Sequence, residues 1–83
     1  PVSGRRLEVW TTEPGILIYT GRLLSEKIIG KQGRPLSKYG GLILETIHYP
    51  DTPNHPDFPS CVLRPGEQYF SATEYRFLID SQY

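Results

Sequence analysis

The stretch RRLEVWTT, residues 5–12, decides the class of fold because its side chains alternate in character along the chain. Leu7 and Val9 fall on one face, and Arg6 and Glu8 fall on the other. A repeat of two residues is the geometry of a β-strand that has one apolar face and one wetter face. We therefore predict a strand over residues 5–12.

Further segments of the chain also have strand character, and none shows a sustained helical period. Residues 16–22, ILIYTGR, are β-branched and aromatic, and residues 71–79, SATEYRFLI, alternate. We predict an all-β, antiparallel fold with sandwich or barrel-like sheets. The connections at 23–41 and 48–60 are long for a small domain, and such loops tend to be functional. The predicted strands after the first are 16–21, 42–47, 61–63 and 72–79.

Length and composition indicate one small domain at most. The chain has 83 residues, of which 37% are hydrophobic, with eight prolines and eight glycines. A domain of this size buries only about 60–65% of the surface that its unfolded chain exposes. We expect the turns and irregular connections to need a larger scaffold.

Charge and cysteine content exclude several classes of protein. Nine basic and nine acidic residues cancel, which argues against a nucleic-acid or anionic-membrane partner. No apolar run approaches the roughly 20 residues that cross a bilayer, and no signal peptide is visible. The single cysteine, Cys61, cannot form an internal disulfide. We expect a cytoplasmic protein, and a chain starting at Pro1 that is processed or a fragment.

Glu45 lies in LILETI, residues 42–47, the most apolar predicted strand. Ile43, Glu45 and Ile47 share one face, and the other face is also apolar, so we predict a strand covered on both sides. Desolvation disfavours the charged form of a carboxylate and makes it a better proton acceptor near neutral pH. The alternative is a glutamate that points to solvent or pairs with an arginine.

Prolines follow at every third position from 50 to 59, which is the period of a polyproline II helix. Such an arm makes no internal hydrogen bonds, so we expect Tyr49 and Phe58 to anchor it. It would form one wall of a site near Glu45. Plain structural packing is the alternative, and a ligand for an SH3-type groove is disfavoured because the arm lacks a flanking basic pair.

No standard metal site is predicted. His48 and His55 stand near Asp51 and Asp57, but their spacing within a proline-stiffened arm matches no standard ligand set. Residues 30–35, GKQGRP, lack the spacing of a phosphate-binding P-loop.

Three strings together resemble the C-terminal portion of the aldose 1-epimerase (galactose mutarotase) family. They are SGRRLEVWTTEPGILIYTG at 3–21, GGLILETIHYPDTPNHPDFPS at 40–60 and VLRPGEQYFSATEYRF at 62–77. The resemblance runs over nearly the whole chain and is weakest at 22–38.

The resemblance implies a large antiparallel β-sandwich, a supersandwich, with a shallow sugar cleft and no cofactor. It implies that Glu45 is the general base that takes the proton of the anomeric hydroxyl of a hexose. The acid, a histidine, and two further sugar-binding residues, a histidine and an aspartate, would lie upstream of this chain, and His48 and His55 do not align with them. Two positions depart from the family pattern, Arg22 in place of Asn and Ile47 in place of Gln.

We therefore expect residues 1–83 to be the C-terminal segment of a single domain, incomplete and inactive on its own. Its partners would be a hexose and the N-terminal remainder of the same fold, with no nucleic acid and no membrane. The alternative is a non-catalytic mutarotase-like module that binds carbohydrate or has a structural role.

Overall fold

A computed structural model describes residues 2–81 of the chain. This part contains two 3₁₀ turns, at Lys31–Gly33 and Thr52–Asn54, and no α-helix. No helix in the described part is long and apolar enough to cross a membrane. The four strands are β1 (Arg5–Thr11), β2 (Gly15–Tyr19), β3 (Ile43–Ile47) and β4 (Thr73–Ile79).

The chain divides into two compact units, residues 1–15 with 46–83 and residues 16–45. In the first unit β1 and β4 pair antiparallel, from Arg5 opposite Ile79 to Thr11 opposite Thr73. Directly opposed residues share a face, so the alternation of each strand makes a two-faced sheet. The apolar face carries Leu7, Val9, Tyr75, Phe77 and Ile79. The polar face carries Arg6, Glu8, Trp10, Glu74 and Arg76, together with the apolar Leu78 opposite Arg6.

The polar face satisfies its own charges. Arg6 pairs with Glu8 at 3.4 Å and with Asp80 at 3.3 Å. The Arg76 guanidinium lies 4.4 Å from the centre of the Trp10 ring, within cation–π range. The charged side chains of this face therefore have partners within the sheet or next to it.

β2 pairs with β3 in a two-stranded sheet, and within residues 16–45 a long loop follows β2. Gly21 organises this loop, because its carbonyl accepts hydrogen bonds from the backbone N–H groups of Leu24 and Tyr39. Its φ of +84° favours glycine, and an added Cβ would lie 2.8 Å from the Gly41 carbonyl oxygen. The loop therefore requires glycine at this position.

The all-β prediction is confirmed, and four of the five predicted strands are present within two residues of their predicted ends. The prediction of the remaining strand, at 61–63, is wrong. There the backbone N–H of Val62 bonds the Ser60 hydroxyl at 3.1 Å, a local bond that competes with strand pairing.

The proline arm is not a continuous polyproline II helix, so that prediction is also wrong. Asp51 takes a left-handed conformation and a 3₁₀ turn follows, with backbone bonds such as His55 N–H to the Thr52 carbonyl. The Tyr49 and Phe58 rings meet edge to face at 5.2 Å, so the two predicted anchors contact each other.

Among residues 2–81 no hydrophobic side chain is buried. Phe77 on the apolar face of the β1–β4 sheet is 81% exposed. A two-stranded sheet has too little surface to enclose a core by itself. The expectation that this chain needs a larger scaffold stays a prediction.

Candidate functional site

Glu45 is the central residue of β3, and its side chain is exposed. The prediction of a strand covered on both sides is wrong for this chain, because neighbouring Ile43 is 46% exposed and the sheet has only two strands. Within residues 2–81 the Glu45 carboxylate has no side-chain hydrogen bond or ion pair, so the arginine pairing is not seen either. Its role as a base stays a prediction.

Immediately after Glu45, Thr46 of the first unit is tied to the end of the β1–β4 ladder by threonine hydroxyls. The Thr46 Oγ1 lies 2.9 Å from the Thr73 Oγ1, which in turn lies 3.0 Å from the Thr11 Oγ1. Thr11 and Thr73 are the last opposed pair of that ladder. The hydroxyl chain therefore fixes one residue of β3 next to the candidate base.

A second set of contacts involves His48, one residue beyond β3, and centres on the Glu13 carboxylate. Glu13 Oε2 lies 3.2 Å from His48 Nδ1, and the Tyr69 hydroxyl donates to Oε1. The Ser71 hydroxyl is a third hydrogen-bond partner. The Glu13 side chain is only 6% exposed, so this cluster, which we call the Glu13 cluster, holds a carboxylate away from water.

The hydrogen bonds shift two pKa values in opposite directions. The Ser71 hydrogen bond, with that of Tyr69 and the nearby His48, lowers the pKa of Glu13 below its ordinary 4.5, although burial opposes this. Donation to Glu13 raises the pKa of Tyr69 above 10.0. Glu13 is thus held as a carboxylate and Tyr69 as a neutral donor at neutral pH.

The sequence did not reveal this cluster. Glu13 lies between the predicted strands 5–12 and 16–21, and Tyr69 is 56 residues away from it along the chain. The one signal was polar residues next to predicted strand ends, and it does not say which ends meet. His48, weighed as a metal ligand, instead faces Glu13.

The other histidine is also engaged locally. His55 Nε2 lies 3.0 Å from Asp51 Oδ2, and its ring stacks on Phe58 at 4.5 Å. Across the described residues no group of three or more side chains of the metal-binding types comes together.

The described residues form an all-β chain in which β3 carries an exposed carboxylate, the candidate acid–base residue. Hydrogen bonds and an ion pair hold the residues that follow it. The sequence profile of the aldose 1-epimerase family matches residues 1–76, which include Glu45 and the Glu13 cluster. The chain belongs to the aldose 1-epimerase family.

Similar proteins carry matching names. The chain is 48% identical to the galactose mutarotase of Mus musculus over 77 residues and 47% identical to that of Homo sapiens, with 93% of the chain covered in each. It is 42% identical to the aldose 1-epimerase of Escherichia coli (strain K12) over 80 residues, with 90% covered. In all three comparisons the chain spans 22% of the relative's length.

Proposed function

We propose that this chain is the C-terminal segment of an aldose 1-epimerase that interconverts the α- and β-anomers of hexoses such as galactose and glucose. The observation that carries the proposal is the family match over residues 1–76, supported by relatives named for this activity at 42–48% identity. Because the chain spans 22% of those relatives, the activity is proposed for the full-length protein and not for residues 1–83 alone.

Glu45 is the proposed general base. Its carboxylate accepts the proton of the anomeric hydroxyl while an acid from outside these residues protonates the ring oxygen, and the ring opens to the aldehyde. After rotation about the C1–C2 bond, the hydroxyl adds to the other face of the carbonyl and the two protons return. A mid-strand, exposed carboxylate without an ion-pair partner among residues 2–81 supports this role, because it has free acceptor positions.

The proposal extends to the rest of the domain, its partners and its location. Residues 1–83 form part of one domain whose N-terminal remainder supplies the acid and the other sugar contacts. The hexose and that remainder are the partners, no cofactor, nucleic acid or membrane takes part, and the protein is cytoplasmic. The absence of buried hydrophobic side chains among residues 2–81 supports the proposal that the domain extends beyond them.

Polarimetry of freshly dissolved α-D-galactose and α-D-glucose tests the proposal with the full-length protein. Glu45→Gln should lower the rate about 10²-fold or more, because an amide cannot take up the proton at neutral pH. The matched control is Glu67→Gln, at a 53% exposed carboxylate 3.9 Å from Arg64, and it should leave the rate unchanged.

The same measurements judge the alternative. A full-length protein that binds galactose in calorimetry without speeding anomer exchange is a non-catalytic carbohydrate-binding module. A Glu45→Gln protein with near-normal turnover removes Glu45 from the base position, whatever the rest of the protein does.

A further inference from the structure

We infer that Glu13 is a positioning residue, which holds the end of β3 through His48 and thereby keeps Glu45 in place for proton transfer. The inference rests on the proposed function, since it assigns Glu13 a part in the reaction that we ascribe to Glu45. It also assigns His48 a role as the link between the two carboxylates.

The first support is the burial of Glu13. At 6% exposure its side chain contrasts with that of Glu67 at 53%. Removing a carboxylate from water is costly unless charged or hydrogen-bonding partners compensate. Here three side chains do so, from His48, Tyr69 and Ser71. A fully engaged carboxylate of this kind fixes its partners in place.

The second support is the origin of those partners. Glu13 lies in the turn after β1, His48 directly follows β3, and Tyr69 and Ser71 lie just before β4. One carboxylate therefore ties the end of β3 to the segments that flank both strands of the β1–β4 ladder. The Thr46–Thr73 hydroxyl contact at 2.9 Å fixes the same end of β3 a second time.

The third support is the position of Glu45 in its strand. β3 has five residues with Glu45 at its centre, and strands in small exposed sheets open easily at their ends. The ties at Thr46 and His48 follow Glu45 by one and three residues, which is within about 10 Å along an extended strand. Loss of the outer tie should let the strand end move and displace the base.

Glu13 is not itself the base in this arrangement. Its Oε2 faces His48 and its Oε1 accepts from Tyr69, so both oxygens are engaged within the protein. It acts on the sugar only through the strand that carries Glu45.

Steady-state kinetics of the full-length protein test the inference. Glu13→Ala and His48→Ala should each lower kcat by about 10-fold or more with little change in KM, because small displacements of a reacting group have large effects on rate. Glu13→Gln, which still accepts hydrogen bonds, should keep more activity than Glu13→Ala. Because the two residues act as one pair, the double variant should lose little more than either single variant.

A second ion pair supplies the matched control. Arg64 and Glu67 lie 3.9 Å apart, with side chains 77% and 53% exposed. Arg64→Ala and Glu67→Ala should leave kcat within about twofold of the wild type, since exposed pairs contribute little. Equal losses in both pairs would overturn the inference.

The Glu45→Gln background separates positioning from folding. If Glu13 acts through Glu45, adding Glu13→Ala to Glu45→Gln causes no further loss of kcat. If Glu13 only supports the fold, the two losses multiply and the inference fails. Should Glu13→Ala melt below the assay temperature, Glu13→Gln and the near-isosteric Thr46→Val take its place in the same comparison.

The two proposals fail in different ways. An inactive wild-type protein, or an active Glu45→Gln variant, overturns the proposed function. An active wild type with an inactive Glu45→Gln variant and a normal Glu13→Ala variant overturns only the positioning role of Glu13.

Discussion

Glu13 shows how far single residues can be interpreted from sequence. It lies in the short connection between β1 and β2, which the predicted strands 5–12 and 16–21 bracket. Its partners were not predicted, since His48 and Tyr69 come close only through strand pairing. Glu45 was placed correctly in mid-strand by periodicity, but its exposure depends on what covers the sheet, which a strand pattern does not state.

The lowered pKa of Glu13 predicts acid sensitivity. A carboxyl group whose pKa is lower in the folded than in the unfolded state adds stability above its unfolded pKa, near 4.5, and this stability is lost as pH falls through the folded value. We expect the free energy of unfolding of the full-length protein to fall below about pH 4.5 less steeply in Glu13→Gln than in the wild type. Urea unfolding across this range measures the slope, and Glu67→Gln should keep the wild-type slope.

Tyr69 predicts the opposite behaviour at high pH. Its pKa is raised above 10.0 by donation to Glu13, so its contribution to stability is complete below 10.0 and is lost as pH rises through the folded value. Ultraviolet titration of the six tyrosines should show a late-ionising group that is missing in Tyr69→Phe. The same late step in Glu13→Gln would contradict this cause of the shift.

Strands were the elements best predicted from the sequence. Alternation along 5–12 and 73–79 located β1 and β4 because a two-residue period follows from strand geometry. The prediction of a polyproline II helix in the proline arm was wrong for a local reason. Asp51 takes φ of 63° and its side chain bonds Asn54 and His55, which turns the backbone away from the regular spiral that proline spacing suggested. Side-chain bonds of this kind override the intrinsic preference of proline-rich segments.

The loop after β2 gives a prediction about a single glycine. Gly21 and Gly66 both have φ of +84°, but an added Cβ meets the Gly41 carbonyl oxygen at 2.8 Å in the first case and nothing within 4 Å in the second. Gly66→Ala should cost about 1 kcal/mol of stability from backbone strain alone. Gly21→Ala should cost distinctly more, since the carbonyl must also move. Thermal unfolding of the two variants compares them, and equal melting temperatures would contradict the clash.

The chain exposes an apolar sheet face. The alternation of the sequence predicts this face but does not show what packs against it. Phe77 and Ile79 of β4 are 81% and 77% exposed, whereas natural monomers seldom expose large apolar patches. In the full-length protein we expect the remainder of the domain to cover this face. The isolated chain has no such cover, so it should be marginally stable or should associate with itself.

Neighbouring residues on opposite faces of β4 make this expectation testable. Phe77→Glu places a charge on the apolar face and should shift the isolated chain towards monomer, because burying an unpaired carboxylate between two chains is costly. Leu78→Glu, one residue along and on the polar face, should leave association unchanged. Sedimentation velocity at several concentrations measures the difference. A wild-type chain that is monomeric with a sharp, high melting transition would show that the face needs no cover, and the domain would then be complete within these residues.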